Sequence, residues 1–228
     1  MKIIDSFRDL NNFEKCLLAG SVTPVILSYV IFPGGDLLSL IASLIGATAL
    51  IFVAKGYVLG QILTVVFALF YGVISFSFRY YGEMITYLGM TSPMAILATV
   101  SWIRNPYKET REVKVSRMTK GKTLLMLILS AVVTAVFYFI LRTLGNESLV
   151  VSTVSVTTSF LASYLTFMRS PYYALAYAAN DVVLIVLWVI ASISDVSFVP
   201  MVVCFSMFFI NDMYGFVNWQ RMRSRQAG

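Results

Sequence analysis

Residues 172–219 read YYALAYAANDVVLIVLWVIASISDVSFVPMVVCFSMFFINDMYGFVNW. Two apolar runs, Tyr172–Ile193 and Ser197–Trp219, are separated by a short polar break. Each has the roughly 17–25 residues that a helix needs to cross a bilayer. The stretch therefore reads as a helical hairpin in a membrane. Yet it carries Asn180, Asp181, Asn211, Asp212 and Asn218, with Trp188 and Trp219 among them. A charged side chain at the bilayer centre costs about 2.5–3.5 kcal/mol on insertion scales unless it faces a partner or a wet cavity. Several such residues in one hairpin point to a polar, aromatic-lined binding site between helices.

The rest of the chain agrees with a membrane reading. Of 228 residues, 59% are hydrophobic and 12% charged, with mean hydropathy +0.83, whereas a soluble domain is about 25% charged. Continuous apolar runs exclude the alternating pattern of a membrane β-barrel. Eight spans are expected: Cys16–Phe32, Leu37–Ala54, Val58–Phe78, Met84–Ile103, Leu124–Leu141, Leu149–Met168, Tyr172–Ile193 and Ser197–Trp219. Met1–Lys15 lacks the pattern of a secretory signal peptide, so the first run is read as a retained helix.

Basic residues set the expected orientation. With both termini in the cytoplasm, fifteen of the 17 Lys and Arg fall on that side, from Lys2 through the cluster Arg104–Lys122 to Arg225. Only Arg79 and Arg142 fall outside. The net charge of +6 is thus a signature of topology rather than of nucleic-acid binding. Histidine is absent, which removes His-based acid–base pairs and most zinc sites. Cys16 and Cys204 fall toward opposite faces, so no disulfide is expected, and neither is a cofactor or metal. The basic loop Arg104–Thr123 is expected to lie on the anionic leaflet as connector and orientation signal.

A faint repeat relates residues 37–103 to about 154–219. Ser43-Leu44-Ile45-Gly46-Ala47 resembles Ser159-Phe160-Leu161-Ala162-Ser163, and Trp102 and Trp219 each close a span before a basic segment. One helix between two three-helix units restores their common orientation, giving a parallel 3+1+3 plan with the site between the halves. The expected segments are 1–36 (tail and extra N-terminal helix), 37–103 (first repeat), 104–148 (basic loop and linker helix) and 149–228 (second repeat and tail).

Helical spacing places Asp181, Ile185 and Trp188 on one line, Asn211, Gly215 and Asn218 on another, and Asp212, Phe216 and Trp219 beside that. Such faces suit a small polar heterocycle bearing a sugar, since rings stack while Asn and Asp bind hydroxyls or an amide. Interhelical hydrogen bonding is the competing use of these groups, worth about 0.6 kcal/mol per bond. The third span offers a stripe of Gln61, Thr64, Ala68, Tyr71 and Ser75, either a site wall or a packing seam, in which Gln61 needs a partner. Thr153, Thr157, Thr158, Ser163 and Tyr164 form a similar stripe in the sixth. Thr91-Ser92-Pro93 predicts a kink. The candidate substrate contacts are Gln61, Tyr71, Asn180, Asp181, Trp188, Asn211, Asp212, Tyr214, Asn218 and Trp219. No Walker motif and no nucleophile–base pair stands out.

Tyr81-Gly82-Glu83-Met84, Pro93-Met94 with Trp102, Asn180-Asp181 with Trp188, and the closing run 211–219 together resemble the PnuC family of bacterial vitamin and nucleoside transporters. The resemblance covers most of the chain from Leu37 onward. It implies a fold like that of the sugar-transporting SWEET proteins, a homotrimer, and a place in the bacterial inner membrane. It implies facilitated diffusion of a non-phosphorylated substrate that a cytosolic kinase then traps. Nicotinamide riboside is the first substrate implied, followed by a deoxyribonucleoside and thiamine. The family's Trp-x-x-Trp pattern reads Thr99-x-x-Trp102 and Phe216-x-x-Trp219 here, so one stacking ring is changed. A non-transporting sensor or assembly protein is the alternative from another class; it predicts Asn180 and Asn211 buried in helix contacts with no cavity.

Overall fold

Eight helices long and apolar enough to cross a membrane are found among the residues described by the computed structural model, which are 3–32, 36–77, 81–146 and 148–228. Lys2, Phe78 and Arg79 lie outside the described residues. The protein is all-helical and multi-pass. In chain order the elements are α1 (Ile3–Arg8), α2 (Asn12–Ile31), α3 (Leu37–Ala54), α4 (Val58–Ser77), α5 (Tyr81–Thr86), a π-helical turn (Tyr87–Thr91), α6 (Ser92–Ile103), α7 (Lys120–Thr143), α8 (Leu149–Phe167), α9 (Tyr173–Ser194), a 3₁₀ turn (Val196–Phe198) and α10 (Val199–Ala227).

The sequence boundaries shift where polar residues make good helix ends. α2 starts at Asn12 rather than Cys16 because Asn11 and Glu14 form a capping box: the Asn11 side chain accepts from the Glu14 N–H at 2.9 Å, and Glu14 accepts from the Asn11 N–H at 2.8 Å. α7 starts at Lys120, capped by Thr119, rather than at Leu124. The kink expected at Pro93 takes the form of a π turn. Proline offers no N–H to the helix ladder, and the Ser92 N–H reaches back to the Tyr87 carbonyl instead.

Six helices close into a ring, in the order α3, α4, α5–α6, α8, α9, α10 and back to α3. Small residues allow the close approach: α3 buries Ser39, Ala42, Ser43, Gly46, Ala47 and Ala49. Outside the ring, α2 packs on α3 and α10, and α7 packs on α8. Their other faces present Leu27, Val30 and Ile31 from α2 and Leu124, Ile128, Val132 and Phe139 from α7. In a soluble protein these apolar stripes would be costly; against lipid they are the ordinary surface.

Both termini lie on one face, here the terminal face. Arg111 pairs with Asp5 and Asp9 near the N-terminus, and Arg225 with Glu112 near the C-terminus. The turn after α3 and the turn after α8 are also on this face and are built alike. In the first, the Gly56 N–H donates to Val53 and the Tyr57 N–H to Phe52. In the second, the Arg169 N–H donates to Thr166 and the Ser170 N–H to Leu165. Gly56 and Arg169 occupy the left-handed position, at φ 70° and 56°. Glycine adopts that conformation freely, whereas arginine pays steric energy for it.

The basic segment 104–119 is bonded to the helix turns on the terminal face. It runs as a strap beneath the ring, with antiparallel bridges pairing Tyr57 with Glu112 and Pro106 with Val113. Its Val113 N–H donates to Gly56 O and its Ser116 N–H to Arg169 O, both at 2.9 Å. The basic side chains Arg104, Lys108, Lys114, Arg117 and Lys120 remain exposed.

Candidate functional site

All six ring members contribute to one cavity at the ring's centre. Gly46, Ala49, Leu50 and Val53 come from α3; Gln61, Thr64 and Phe67 from α4; Tyr87 and Thr91 from the π turn. α8 gives Ser159 and Ser163, α9 gives Tyr177, Asn180 and Asp181, and α10 gives Phe205, Phe208 and Asp212. About 670 Å³ of space unfilled by protein atoms, open solvent at its mouth included, lies between these residues.

Four of the residues expected from sequence meet here: Gln61, Asn180, Asp181 and Asp212. Asn180 has its Oδ1 fixed by two hydroxyl donors, Thr158 at 2.8 Å and Ser159 at 3.0 Å. That bonding turns the amide nitrogen into the free end of the group. Asp181 and Asp212 come from different helices and are near enough to hydrogen-bond to each other. Asp181 Oδ2 has no protein partner. Two carboxyl groups this close make a place for positive charge, whether a shared proton or a cationic ligand. Among the described residues, no Lys or Arg lines the cavity. The hydroxyls of Ser163 and Tyr177 share a hydrogen bond of 3.3 Å on the wall.

The other six expected residues do not line the cavity. Tyr71 lies about two turns beyond Thr64 on α4 and packs against Phe67, Tyr87 and Phe205. Trp188 packs on Phe198, with ring centroids 5.6 Å apart. Asn211 turns away toward α2, where its Oδ1 accepts from Ser21 at 3.0 Å. Tyr214 also faces α2: its hydroxyl donates to Glu14 at 2.8 Å, and Glu14 in turn holds Lys55 at 2.9 Å. Asn218 donates to the Ala54 carbonyl, and Trp219 to the Val53 carbonyl. Of the two lines drawn from sequence on α10, Asn211, Gly215 and Asn218 do not line the cavity, and the neighbouring line meets it at Asp212 but not at Phe216 or Trp219; the lining face runs Phe205, Phe208, Asp212. Four contacts, two with α2 side chains and two with α3 carbonyls, occupy Asn211, Tyr214, Asn218 and Trp219.

Two aromatic layers bound the cavity. Toward the opposite face lie Phe67, Tyr71, Tyr87, Phe205 and Phe208, with ring centroids 4.3–6.2 Å apart. Toward the terminal face lie Trp102 and Trp219, 5.4 Å apart, with Tyr173 4.8 Å from Trp219. The Trp102 indole donates to Thr166 O at the end of α8, and the Trp219 indole to Val53 O at the end of α3, both at 2.9 Å. Sequence reasoning missed Phe67, Tyr87, Phe205 and Phe208 as site residues. A phenylalanine at helical spacing in a membrane span carries no sign that distinguishes a cavity from lipid. Tyr177, one turn before Asp181, was the legible signal left unused.

The pattern of a protein family described as "Nicotinamide mononucleotide transporter" matches residues 36–221. The chain is 26% identical over 203 residues to the nicotinamide riboside transporter PnuC of Neisseria mucosa, covering 87% of this chain and 77% of that one. It is 22% identical over 215 residues to the nicotinamide riboside transporter PnuC of Haemophilus influenzae, covering 93% and 92%. A crystal structure of the vitamin B3 transporter PnuC superposes with a TM-score of 0.81 at 24% identity, over 95% of this chain and 94% of the other. That last likeness establishes a common fold.

Proposed function

The chain belongs to the nicotinamide mononucleotide transporter family, and on that footing we propose that it carries nicotinamide riboside, without its phosphate, by facilitated diffusion. The observation that carries this reading is the carboxyl pair Asp181–Asp212 in a cavity that, among the described residues, no Lys or Arg lines. The riboside has a flat cationic ring, an amide and a sugar. The ring suits the carboxyl pair and the aromatic walls; Asn180 and Gln61 suit the amide and hydroxyls. The mononucleotide adds a phosphate, which needs charge-assisted donors that this wall lacks. Of the ten contacts expected from sequence, we retain these four as substrate contacts and assign Trp219 to the floor.

Thiamine, also cationic, is the second reading, because the same pair would serve it; a deoxyribonucleoside has no such charge. The sensor or assembly reading required Asn180 and Asn211 to lie in helix contacts with no cavity. Asn211 does so, but Asn180 lines a cavity.

The wider scheme is part of the proposal. The two alike turns and the reciprocal tryptophan bonds support a parallel 3+1+3, SWEET-like repeat, with α3–α6 as one unit, α8–α10 as the other, α7 as linker and α2 as an extra helix. The turns align at an offset of 113, Gly56 on Arg169, a few residues from the 116 that the Ser43 and Ser159 segments suggest. The basic residues support a cytoplasmic terminal face in a bacterial inner membrane. The bare apolar faces of α2 and α7 leave room for the homotrimer that the family resemblance implies. A cytosolic kinase downstream would make uptake one-way by trapping the product.

A thermal-shift series on the purified protein tests the substrate. Nicotinamide riboside at 100-fold over its dissociation constant should stabilise the fold by about 2.7 kcal/mol, and nicotinamide mononucleotide, thymidine and riboflavin should not. Asp181→Asn with Asp212→Asn should abolish the shift. An equal response to the mononucleotide, or none to the riboside, would overturn the reading.

A further inference from the structure

We infer that Val113, held by the strap 104–119, is a gating residue of the transport cycle: it locks the terminal side of the cavity and must withdraw for substrate to pass there. The inference rests on the transporter reading above but on different residues.

Three observations carry it. The strap bridges the two sides of the ring. Its bonds from Val113 and Ser116 end on the carbonyls of Gly56 and Arg169, the left-handed residues of the two alike turns. Backbone bonds to both turns fix their separation as long as the strap is seated. Second, Val113 is only 1% exposed and packs in one cluster with Val53, Trp102, Tyr173 and Trp219. Val53 lines the cavity, and its carbonyl accepts the Trp219 indole. Val113 therefore belongs to the same packed cluster as a residue of the cavity wall. Third, α10 ties the cavity wall to the strap's edge. Asp212 of α10 lines the cavity, while Gln226 of the same helix bonds Val115 N at 2.8 Å and Val113 O at 3.1 Å. These points are about 21 Å apart along one continuous helix, so α10 cannot tilt at the cavity without pulling on the strap.

The strap's edge is built to release. Glu112–Arg225 joins it to α10 with contacts of 2.6 and 2.7 Å, but the Arg225 side chain is 60% exposed, and pairs of this kind are weak and salt-screened. The centre is different: Val113 is buried and its N–H is bonded. Opening therefore begins at the edge and ends with Val113 leaving its seat.

Two arms test this in the full-length protein in membrane vesicles, with Cys16 and Cys204 replaced by alanine. In the first, Glu112→Cys and Arg225→Cys are joined by a short cleavable bis-maleimide. Uptake of nicotinamide riboside should fall at least tenfold, return on cleavage, and leave ligand-induced thermal stabilisation intact. Uptake at the untethered rate would overturn the proposal. In the second, Ser163→Cys on the cavity wall reports access to an impermeant maleimide from the strap side. Val113→Gly should raise its labelling rate at least threefold, and Val113→Ile should restore the slow rate. An unchanged rate in Val113→Gly would overturn the proposal even where the tether has damaged binding. The labelling arm needs no substrate, so a wrong substrate and a wrong gate give different results.

Discussion

Toward the terminal face, Trp102 and Trp219 each donate to a backbone carbonyl at 2.9 Å. Toward the opposite face, Tyr71 and Tyr87 meet ring to ring at 4.3 Å, and Phe205 and Phe208 at 5.5 Å with their planes 73° apart. The two closures use the same residue class for different physics. An N–H to carbonyl bond tolerates little change of angle or distance before it is lost. Aromatic edges and faces have several arrangements of similar energy. The tryptophan end should therefore behave as a two-state closure and the phenylalanine–tyrosine end as one that repacks around its contents.

The strongest way to break this comparison is Trp219→Ala. It removes a fully buried ring together with its bond, and thermal unfolding in detergent should register a loss of about 3–5 kcal/mol. A sharper probe keeps the ring and deletes the donor. Trp219→Phe and Trp102→Phe remove one donor from the Val53 and Thr166 carbonyls, which keep the Gly56 and Arg169 N–H groups, so each lost bond should cost about 0.5–1.5 kcal/mol. At the other end Phe205→Leu keeps an apolar group of similar bulk among adaptable rings, and its cost should stay below about 1.5 kcal/mol. Should the leucine variant prove the worse of these, the assignment of rigid and adaptable ends is reversed. Smallest of all, Arg225→Gln removes an exposed ion pair and should change stability by no more than about 1 kcal/mol, while its effect on uptake at low salt reports the strap's edge separately.

Much of this molecule was legible in its sequence. Hydropathy supplied all eight spans, because no soluble arrangement can bury so much apolar surface in so few charged residues. The pair of carboxylates on the last two helices stood out for the same reason. What sequence could not resolve was which way each polar group points. Asn211 and Asp212 are neighbours, yet one bonds Ser21 of α2 and the other enters the cavity. A rotation of about 100° separates them, and only the packing of α2 against α10 decides it. Tyr214, Asn218 and Trp219 likewise read as site residues until their partners, a glutamate on α2 and two carbonyls of α3, are known. The strap was hidden for another reason: its bonds to the two turns are between backbone groups, to which side-chain patterns are blind.

The reciprocity of the tryptophan bonds bears on ancestry. The α6 indole completes the end of α8, and the α10 indole completes the end of α3. A single three-helix chain with one such indole and one such carbonyl would satisfy both by pairing with a copy of itself about an axis along the membrane normal. Gene duplication with α7 inserted would preserve that pairing within one polypeptide. Two such copies would then be free to differ at matching turns, where this chain has Gly56 and Arg169, and on facing walls of the cavity, where a register of 113 sets Phe67 against Asn180. On this account a site whose matching positions differ, phenylalanine at 67 and asparagine at 180, is what a duplicated gene gains that a self-paired chain cannot have.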